Sequence, residues 1–310
     1  MKKTVEVTVG NRTLTLSNLD KVFYAETGFT KGEMIQYYTD IAPVLIPHLA
    51  ERPLTLKRYP DGAGGMFFYE KNCPAHAPKW LHTCAVWSEG NQREMHYCVV
   101  DDLPSLVWAA NLATIELHTS LSKGKKIERP TMVAFDLDPG APANMVDCCR
   151  VGLLLKEIFT RLGLQSFPKT SGSKGLQIYV PLNTPSATYD ETKNFAHALA
   201  MKLEAEFPDR VVSMMKKTLR TGKIFVDWSQ NDVHKTTVCV YSMRAKERPT
   251  VSTPVTWEEV KKTFDNGDPK LLEFDASAVV RRVAKKGDLF EPVLKLKQKL
   301  PRIEAPVGKG

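Results

Sequence analysis

The stretch TMVAFDLDP at residues 131–139 decides how we expect this chain to fold. Its apolar run is rich in residues that favour β-strands, and it ends in Asp136 and Asp138 just before Pro139. Side chains two residues apart on a strand point to the same face, so the two carboxylates should lie side by side. Adjacent carboxylates repel each other, and a divalent cation or a shared proton relieves that repulsion. The alternative is a pair of acids that cap a strand end, since short motifs also occur without a function.

The stretch KIFVDW at residues 223–228 has the same form, because an apolar strand again ends in a carboxylate, Asp227. Three aspartates near the ends of adjacent buried strands would form a hard oxygen site for two divalent cations. Such ions can activate an attacking hydroxyl and stabilise a leaving oxyanion in polymerases, nucleases and phosphatases alike. The acids alone do not choose among these enzymes, and Asp227 could instead pair with a basic neighbour.

The loop TSGSKG at residues 170–175 lies between these two strands in the sequence. Its small residues would let backbone N–H groups approach phosphate oxygens, and the hydroxyl of Ser171 and the ammonium of Lys174 would add contacts. The loop is not a Walker A sequence, and a flexible turn is the alternative interpretation.

The composition favours a globular protein with a polyanionic partner. The chain has 310 residues, a formal net charge of +8 and a pI near 9.0, which favours nucleic acid. Basic and aromatic residues alternate around Lys57 and at residues 67–69, a mixture that suits phosphates and bases. The N-terminus alternates apolar and polar residues like a strand, and no apolar run approaches about 18 residues. We therefore expect a cytoplasmic protein that does not contact membranes.

The order of predicted elements indicates an α+β fold, because strands and helices mix without strict alternation. Helical spacing over 31–50 predicts a helix that Pro43 and Pro47 limit, and further helices are expected at 101–116 and 190–206. No linker rich in Pro, Gly or Ser divides the chain. We expect one catalytic domain over 1–300 and a basic C-terminal tail over 301–310.

Cysteine and histidine residues cluster around a predicted β-hairpin, and the cluster comprises Cys73, His82, Cys84, His96 and Cys98. In the right strand register, the His and Cys pairs of the two strands could form a tetrahedral zinc site. A register slip of one residue would separate them, and core thiols with surface imidazoles are the alternative.

Seven motifs occur in an order that closely resembles a known family. They are NLDKV (18–22), KRYPDG (57–62), DDL (101–103), ELH (116–118), FDLDP (135–139), TSGSKGL (170–176) and FVDWSQN (225–231). Together they resemble the polymerase domain of bacterial and archaeal LigD-type non-homologous end-joining proteins, a branch of the archaeo-eukaryotic primase superfamily. The resemblance covers residues 11–300, without a ligase or nuclease module, so we expect a stand-alone polymerase or an excised domain.

The resemblance implies a primase-polymerase fold, with mixed or antiparallel central sheets flanked by helices. It also implies a template-dependent polymerase that fills gaps and extends ends at double-strand breaks, prefers ribonucleotides and uses two Mn²⁺ or Mg²⁺ ions. Its implied substrates are nucleoside triphosphates and gapped or broken double-stranded DNA with a 5′-phosphate, and its implied partners are Ku and a DNA ligase. A replicative-type primase and a non-catalytic module that bridges DNA ends remain the alternatives.

The resemblance also assigns roles by motif position. The residues expected to hold the catalytic metals are Asp136, Asp138 and Asp227. The residues expected to bind the incoming nucleotide are Lys57, His118, Ser171, Lys174, Arg220, Gln230 and Arg244. Lys21 and Lys31 would bind the 5′-phosphate of the downstream strand, Phe68 would contact the template or base, and Lys223 would face the active site. One departure is Gln177, where many relatives have a histidine, because an amide cannot titrate or carry charge.

Overall fold

The computed structural model describes residues 3–301, in which helices and strands follow one another irregularly. The strands are β1 (Thr4–Val9), β2 (Arg12–Ser17), β3 (Val22–Tyr24), β4 (Phe29–Thr30), β5 (Leu54–Arg58), β6 (Phe68–Glu70), β7 (Thr83–Ser88), β8 (Arg93–Cys98), β9 (Thr114–Thr119), β10 (Met132–Pro139), β11 (Phe167–Thr170), β12 (Leu176–Pro181), β13 (Val211–Val212), β14 (Ile224–Asp227) and β15 (Thr237–Val238). The α-helices are α1 (Lys31–Leu49), α2 (Leu103–Asn111), α3 (Met145–Arg161), α4 (Tyr189–Glu206), α5 (Trp257–Asn266), α6 (Ala276–Lys286) and α7 (Glu291–Lys295). The predicted basic tail lies, from Arg302 onward, outside the described residues.

The described chain divides into two compact units, each assembled from three segments. The first unit comprises residues 3–125, 236–253 and 274–288, and the second comprises residues 126–235, 254–273 and 289–301. The expectation of one domain over 1–300 does not anticipate this division. The physical reason is that no flexible linker marks the boundary, because the chain passes between the units several times.

The first unit is built on a six-stranded antiparallel sheet. In this sheet β15, β9, β5, β8 and β7 follow one another, and β6 also pairs with β5. The alternating N-terminal sequence forms the pair β1 and β2, as predicted for strands. Helix α1 begins with a capping box between Thr30 and Glu33 and contacts α2 and α6.

Helix α1 runs through Pro43 and Pro47, which corrects the prediction that these prolines limit it. An interior proline costs a helix about 3 kcal/mol, because it lacks the N–H and crowds the preceding turn. Packing opposes this cost, since Ile41, Leu45 and Leu49 are almost fully buried. Burial of each such side chain contributes about 1.5–3 kcal/mol. Tertiary contacts therefore override the local helix-breaking signal.

The helix predicted over 101–116 is shorter than expected, because α2 ends at Asn111. Ala113 has a positive φ of 63°, which turns the chain into β9. Residues Thr114 and Ile115 are buried in the sheet, and both types favour strands. The turn therefore puts His118 on a strand.

The second unit contains a mixed sheet in the order β11-β12-β10-β14-β13. Only β13 and β14 pair in parallel, and the other neighbours are antiparallel. Phe135 of the central strand contacts Phe159 of α3 and Phe195 of α4, with ring centroids 5.3 and 6.4 Å apart. Because side chains alternate along a strand, Asp136 and Asp138 point to the opposite face. This mixture of helices with antiparallel and mixed sheets confirms the predicted α+β class.

Across residues 3–301, none of the α-helices combines the length and the apolar character that crossing a bilayer requires.

Candidate active site

The register of β10 and β14 brings the three predicted metal-binding acids together. Asp136 lies directly opposite Asp227, and Asp138 lies two residues farther along β10, opposite Phe225. Directly opposed residues of an antiparallel pair project to the same face. All three carboxylates therefore project from the face that is turned away from α3 and α4.

The surroundings of the Asp136 carboxylate favour a bound cation. Its Oδ1 atom is buried and has no hydrogen-bond partner within the described residues, although the residue as a whole is partly exposed. Burial first, and then the charges of Asp138 and Asp227, together raise the pKa of Asp136 to about 7, against a hydrogen bond from Gln177 that lowers it. An unpartnered carboxylate oxygen beside two other acids fits a hard divalent cation, which supplies the missing positive charge.

Asp227 is held differently, because both of its oxygens accept hydrogen bonds from the next turn. Oδ1 accepts from the backbone N–H of Ser229 at 2.9 Å and from its hydroxyl at 2.5 Å, and Oδ2 accepts from Gln230 Nε2 at 2.8 Å. Over residues 3–301, no group of three His, Cys, Asp or Glu side chains is arranged to hold a metal ion. The backbone thus juxtaposes the acids, while Ser229 and Gln230 hold the Asp227 carboxylate. Gln230, predicted to bind nucleotide, is located beside Asp227, one of the three acids predicted to bind metal.

A row of polar residues continues from Asp136 across the sheet. Asp136 pairs with Gln177 of β12, and Gln177 pairs with Lys169 of β11. The Lys169 ammonium, on a residue that is 1% exposed, donates to Gln177 Oε1. Since an ammonium only donates, the Gln177 carbonyl must face Lys169 and its NH₂ is left to donate to Asp136. The amide that replaces the expected histidine therefore connects a buried cation to the acid site.

The loop 170–175 closes tightly against the acid end of β10. The Ser171 hydroxyl accepts from the N–H groups of Ser173 at 3.2 Å and Gly175 at 3.1 Å, whereas Lys174 is exposed. A Cβ at Gly175 would collide with the Leu137 carbonyl and lie 3.5 Å from Asp138 Oδ1. Glycine is therefore required there, and the close approach puts the predicted phosphate loop beside the acids.

Arg220 and Lys223 are placed differently from each other. The Arg220 guanidinium lies 3.7 Å from the centroid of the Phe225 ring, and its buried Nε has no hydrogen-bond partner among residues 3–301. The Lys223 ammonium donates to the Pro208 carbonyl at 2.6 Å. That contact ties Lys223 to the segment before β13, whereas the resemblance implies that Lys223 faces the active site.

In the first unit, three of the predicted nucleotide-binding residues surround one carboxylate, Glu116. Its oxygens lie 2.9 Å from His118 Nε2, 3.3 Å from Arg244 Nε and 3.6 Å from the Lys57 ammonium. Sequence reasoning did not select Glu116. The sequence does contain a signal for Glu116, which is its spacing of two residues from His118. Asp136 and Asp138 have the same spacing, which puts two side chains of a strand on one face.

Exposed aromatic rings lie close to Lys57 in the first unit. The ammonium lies 4.2 Å from the centroid of the Phe67 ring, and Arg58 lies 5.1 Å from that of Phe68. Phe67 and Phe68 are 49% and 44% exposed, so both rings are accessible to a base.

The two lysines expected to bind a 5′-phosphate differ in their surroundings. Lys21 is partly exposed, and its ammonium contacts the Pro60 carbonyl and Asp61 at 2.7 and 2.9 Å. Lys31 is 4% exposed, and its ammonium donates to the Ser17 carbonyl at 2.7 Å and to Asn111 Oδ1 at 2.8 Å. Lys31 is thus a buried contact between segments of the first unit.

The cysteine and histidine residues do not assemble as the zinc hypothesis required. In the hairpin of β7 and β8, Cys84 pairs with Tyr97, whereas His96 pairs with Ala85 and Cys98 with Thr83. Cys84 therefore points to the face opposite that of His96 and Cys98, which is the one-residue offset that separates the ligands. His82 instead contacts Asp101 at 2.8 Å.

Comparisons with known proteins identify the family. The chain matches the family model of the LigD primase-polymerase domain over residues 30–290. The chain belongs to this family. The chain is also similar to a polymerase domain from Mycobacterium tuberculosis ligase D in complex with DNA, with a TM-score of 0.84 and 36% identity over 92% of this chain and 99% of that one. The primase-polymerase fold expected from the motifs is thereby confirmed.

Longer LigD proteins share the same segment. The multifunctional non-homologous end joining protein LigD of Mycolicibacterium smegmatis is 38% identical over 280 residues, which are 90% of this chain and 36% of that protein. The bifunctional non-homologous end joining protein LigD of Bacillus subtilis is 31% identical over 277 residues, which are 89% of this chain and 43% of that protein. The chain therefore spans less than half the length of these relatives.

Proposed function

We propose that this chain is a template-dependent nucleotidyltransferase that extends DNA ends and fills gaps during non-homologous end joining. The observation that carries the proposal is the pairing of Asp136 with Asp227, which puts three carboxylates on one sheet face. In the proposed reaction the primer 3′-hydroxyl oxygen attacks the α-phosphorus of a nucleoside triphosphate. A new phosphodiester bond forms, and pyrophosphate leaves.

Asp136, Asp138 and Asp227 would hold two Mn²⁺ or Mg²⁺ ions. When bound, such ions lower the pKa of the attacking hydroxyl and neutralise charge on the phosphoryl oxygens. The buried, unpartnered Oδ1 of Asp136 supports this assignment. Ser229 and Gln230 hold the Asp227 carboxylate, so part of their hydrogen bonding would be exchanged for a metal–oxygen contact.

The remaining assignments follow the family motifs. The proposed contacts of the triphosphate are Lys57, His118, Ser171, Lys174, Arg220, Gln230 and Arg244. Phe68 would stack on a base, and Lys21 and Lys31 would bind the 5′-phosphate of a gap. Ribonucleotide preference and cooperation with Ku and a DNA ligase belong to the same proposal.

Labelled-nucleotide incorporation tests the proposal. The parent protein should extend a primer at a gapped duplex, and a 5′-phosphate in the gap should increase incorporation. Synthesis on unprimed single-stranded template without extension of a primer would instead indicate a primase. DNA-end binding without incorporation in either metal would indicate a bridging module and would overturn the proposal.

A further inference from the structure

Glu116 is a buried carboxylate that contacts donors from three separate segments. Its side chain is 2% exposed and lies on β9 directly opposite Lys57 of β5. Besides Lys57, His118 and Arg244, its Oε1 accepts from the Tyr59 hydroxyl and the Ala245 N–H, each at 3.2 Å. Each carboxylate oxygen therefore joins β9 to at least one other segment of the first unit.

The charges around Glu116 keep it ionised. Burial alone would raise the pKa of Glu116, but the hydrogen bond with His118 and the charges of Arg244, His118 and Lys57 hold that pKa well below its usual range. One negative charge thus faces the ammonium of Lys57, the guanidinium of Arg244 and an imidazole. The net positive charge of this group of side chains suits a polyphosphate. The carboxylate offsets the electrostatic repulsion between the cations.

The three charged or titratable partners of Glu116 are each more exposed than Glu116 itself. The side chains of Lys57, His118 and Arg244 are 13%, 14% and 16% exposed, against 2% for Glu116. The carboxylate therefore lies beneath the three donors, where it can orient them without contacting a ligand.

We propose that Glu116 is a positioning residue: it holds Lys57, His118 and Arg244 in the geometry that binds the polyphosphate of a nucleoside triphosphate. The inference rests on the proposed function for the identity of the ligand. The positioning itself can be tested in the free protein.

His118 reports on the positioning because its titration depends on Glu116. Burial lowers the pKa of His118, contact with Glu116 raises it, and Arg244 and Lys57 lower it. A titratable ring, that of Tyr69, also faces His118, with centroids 6.0 Å apart. Loss of the Glu116 charge removes the contribution that favours the imidazolium, so the midpoint of the His118 titration should fall.

The main test compares Glu116→Gln with a matched control, Glu70→Gln. Glu70 lies in the same sheet, where its carboxylate forms an ion pair with Arg58 at 2.7 Å. NMR should show the His118 midpoint at lower pH in Glu116→Gln and unchanged in Glu70→Gln. Binding of fluorescently labelled ATP, measured in Mg²⁺ without DNA, should weaken roughly tenfold or more in Glu116→Gln alone, since each charge-assisted contact is substantial. DNA-end binding should stay within about twofold of the parent.

Glu116→Asp keeps the charge on a shorter side chain and serves if the Gln variant does not fold. Its ATP affinity should lie between those of the parent and the Gln variant. An unchanged His118 midpoint in Glu116→Gln, or parent-like ATP affinity in Glu116→Asp, would overturn the positioning role. Failure of the parent to bind ATP would overturn the proposed function instead, since the His118 midpoint is measured in the free protein.

Discussion

Asp136 combines a buried oxygen that lacks a partner with two neighbouring acids, and this combination makes its charge unfavourable in the metal-free protein. A carboxyl whose pKa is higher in the folded than in the unfolded chain favours folding most at low pH. That contribution is lost as pH rises from the unfolded value, about 4, to the folded value. For Asp136 the window ends at a pKa of about 7.

Asp136→Asn should therefore stabilise the metal-free protein at pH 8 by on the order of 1–3 kcal/mol and have little effect at pH 4. The measurement is thermal unfolding in EDTA across this pH range. Asp227→Asn is the matched control, and it should destabilise the protein because its NH₂ would face the donors of either Ser229 or Gln230. Mn²⁺ should raise the melting temperature of the parent but not of Asp136→Asn. Equal effects of the two substitutions at pH 8 would contradict the assigned environments.

Single substitutions of Lys31 and Lys21 should have different effects on the stability of the fold. Lys31→Ala removes buried hydrogen bonds to Ser17 and Asn111, so we expect it to destabilise the fold by about 1–3 kcal/mol. Lys21→Ala should change stability by less than about 0.5 kcal/mol, because its ion pair with Asp61 is exposed. Denaturant unfolding gives both values.

Competition binding on gapped duplexes then isolates the phosphate contact. Lys21→Ala should lower the preference for a 5′-phosphate over a 5′-hydroxyl while primer extension continues, because a terminal phosphate carries more charge than a phosphodiester. An undiminished preference in Lys21→Ala would place the phosphate site elsewhere.

At the scale of elements, the sheet of the second unit aligns Lys169, Gln177, Asp136 and Asp227 on four adjacent strands. The alignment depends on register, since a one-residue slip of β12 would move Gln177 to the face covered by helices. The row fixes the orientation of the Gln177 amide, and this amide does not titrate.

Lys169→Met and Gln177→Leu should each destabilise the protein and weaken Mn²⁺ binding, and their effects should not add. We expect a coupling free energy of about 1 kcal/mol in a double-mutant cycle, since the two side chains share one hydrogen bond. Urea unfolding gives the stability cycle, and electron paramagnetic resonance gives Mn²⁺ affinity. Additive effects would show that Lys169 acts independently of Gln177.

At the scale of the whole molecule, the net charge of +8 favours binding to DNA. We expect this binding to be independent of the three acids that we propose for the chemistry. Asp136→Ala should reduce nucleotide incorporation roughly a hundredfold or more, because it removes a proposed metal ligand. DNA-end affinity should be retained and should fall steeply with salt, because phosphate contacts release counterions. The measurements are incorporation and DNA binding at several salt concentrations, with circular dichroism to verify the fold. Parallel loss of both activities in a folded variant would contradict this independence.

The sequence by itself determined the features that depend on local periodicity. A strand has a period of two residues, so Asp136 and Asp138 on one face followed directly from TMVAFDLDP, and the ordered motifs identified the family. Only the tertiary structure decided which strands are neighbours and in which register. It put Asp227 opposite Asp136, Cys84 on the face away from Cys98, and Glu116 beneath its cations. Strand register and the burial of Lys31 depend on contacts between residues far apart in the chain, and no local pattern encodes the free energy of those contacts.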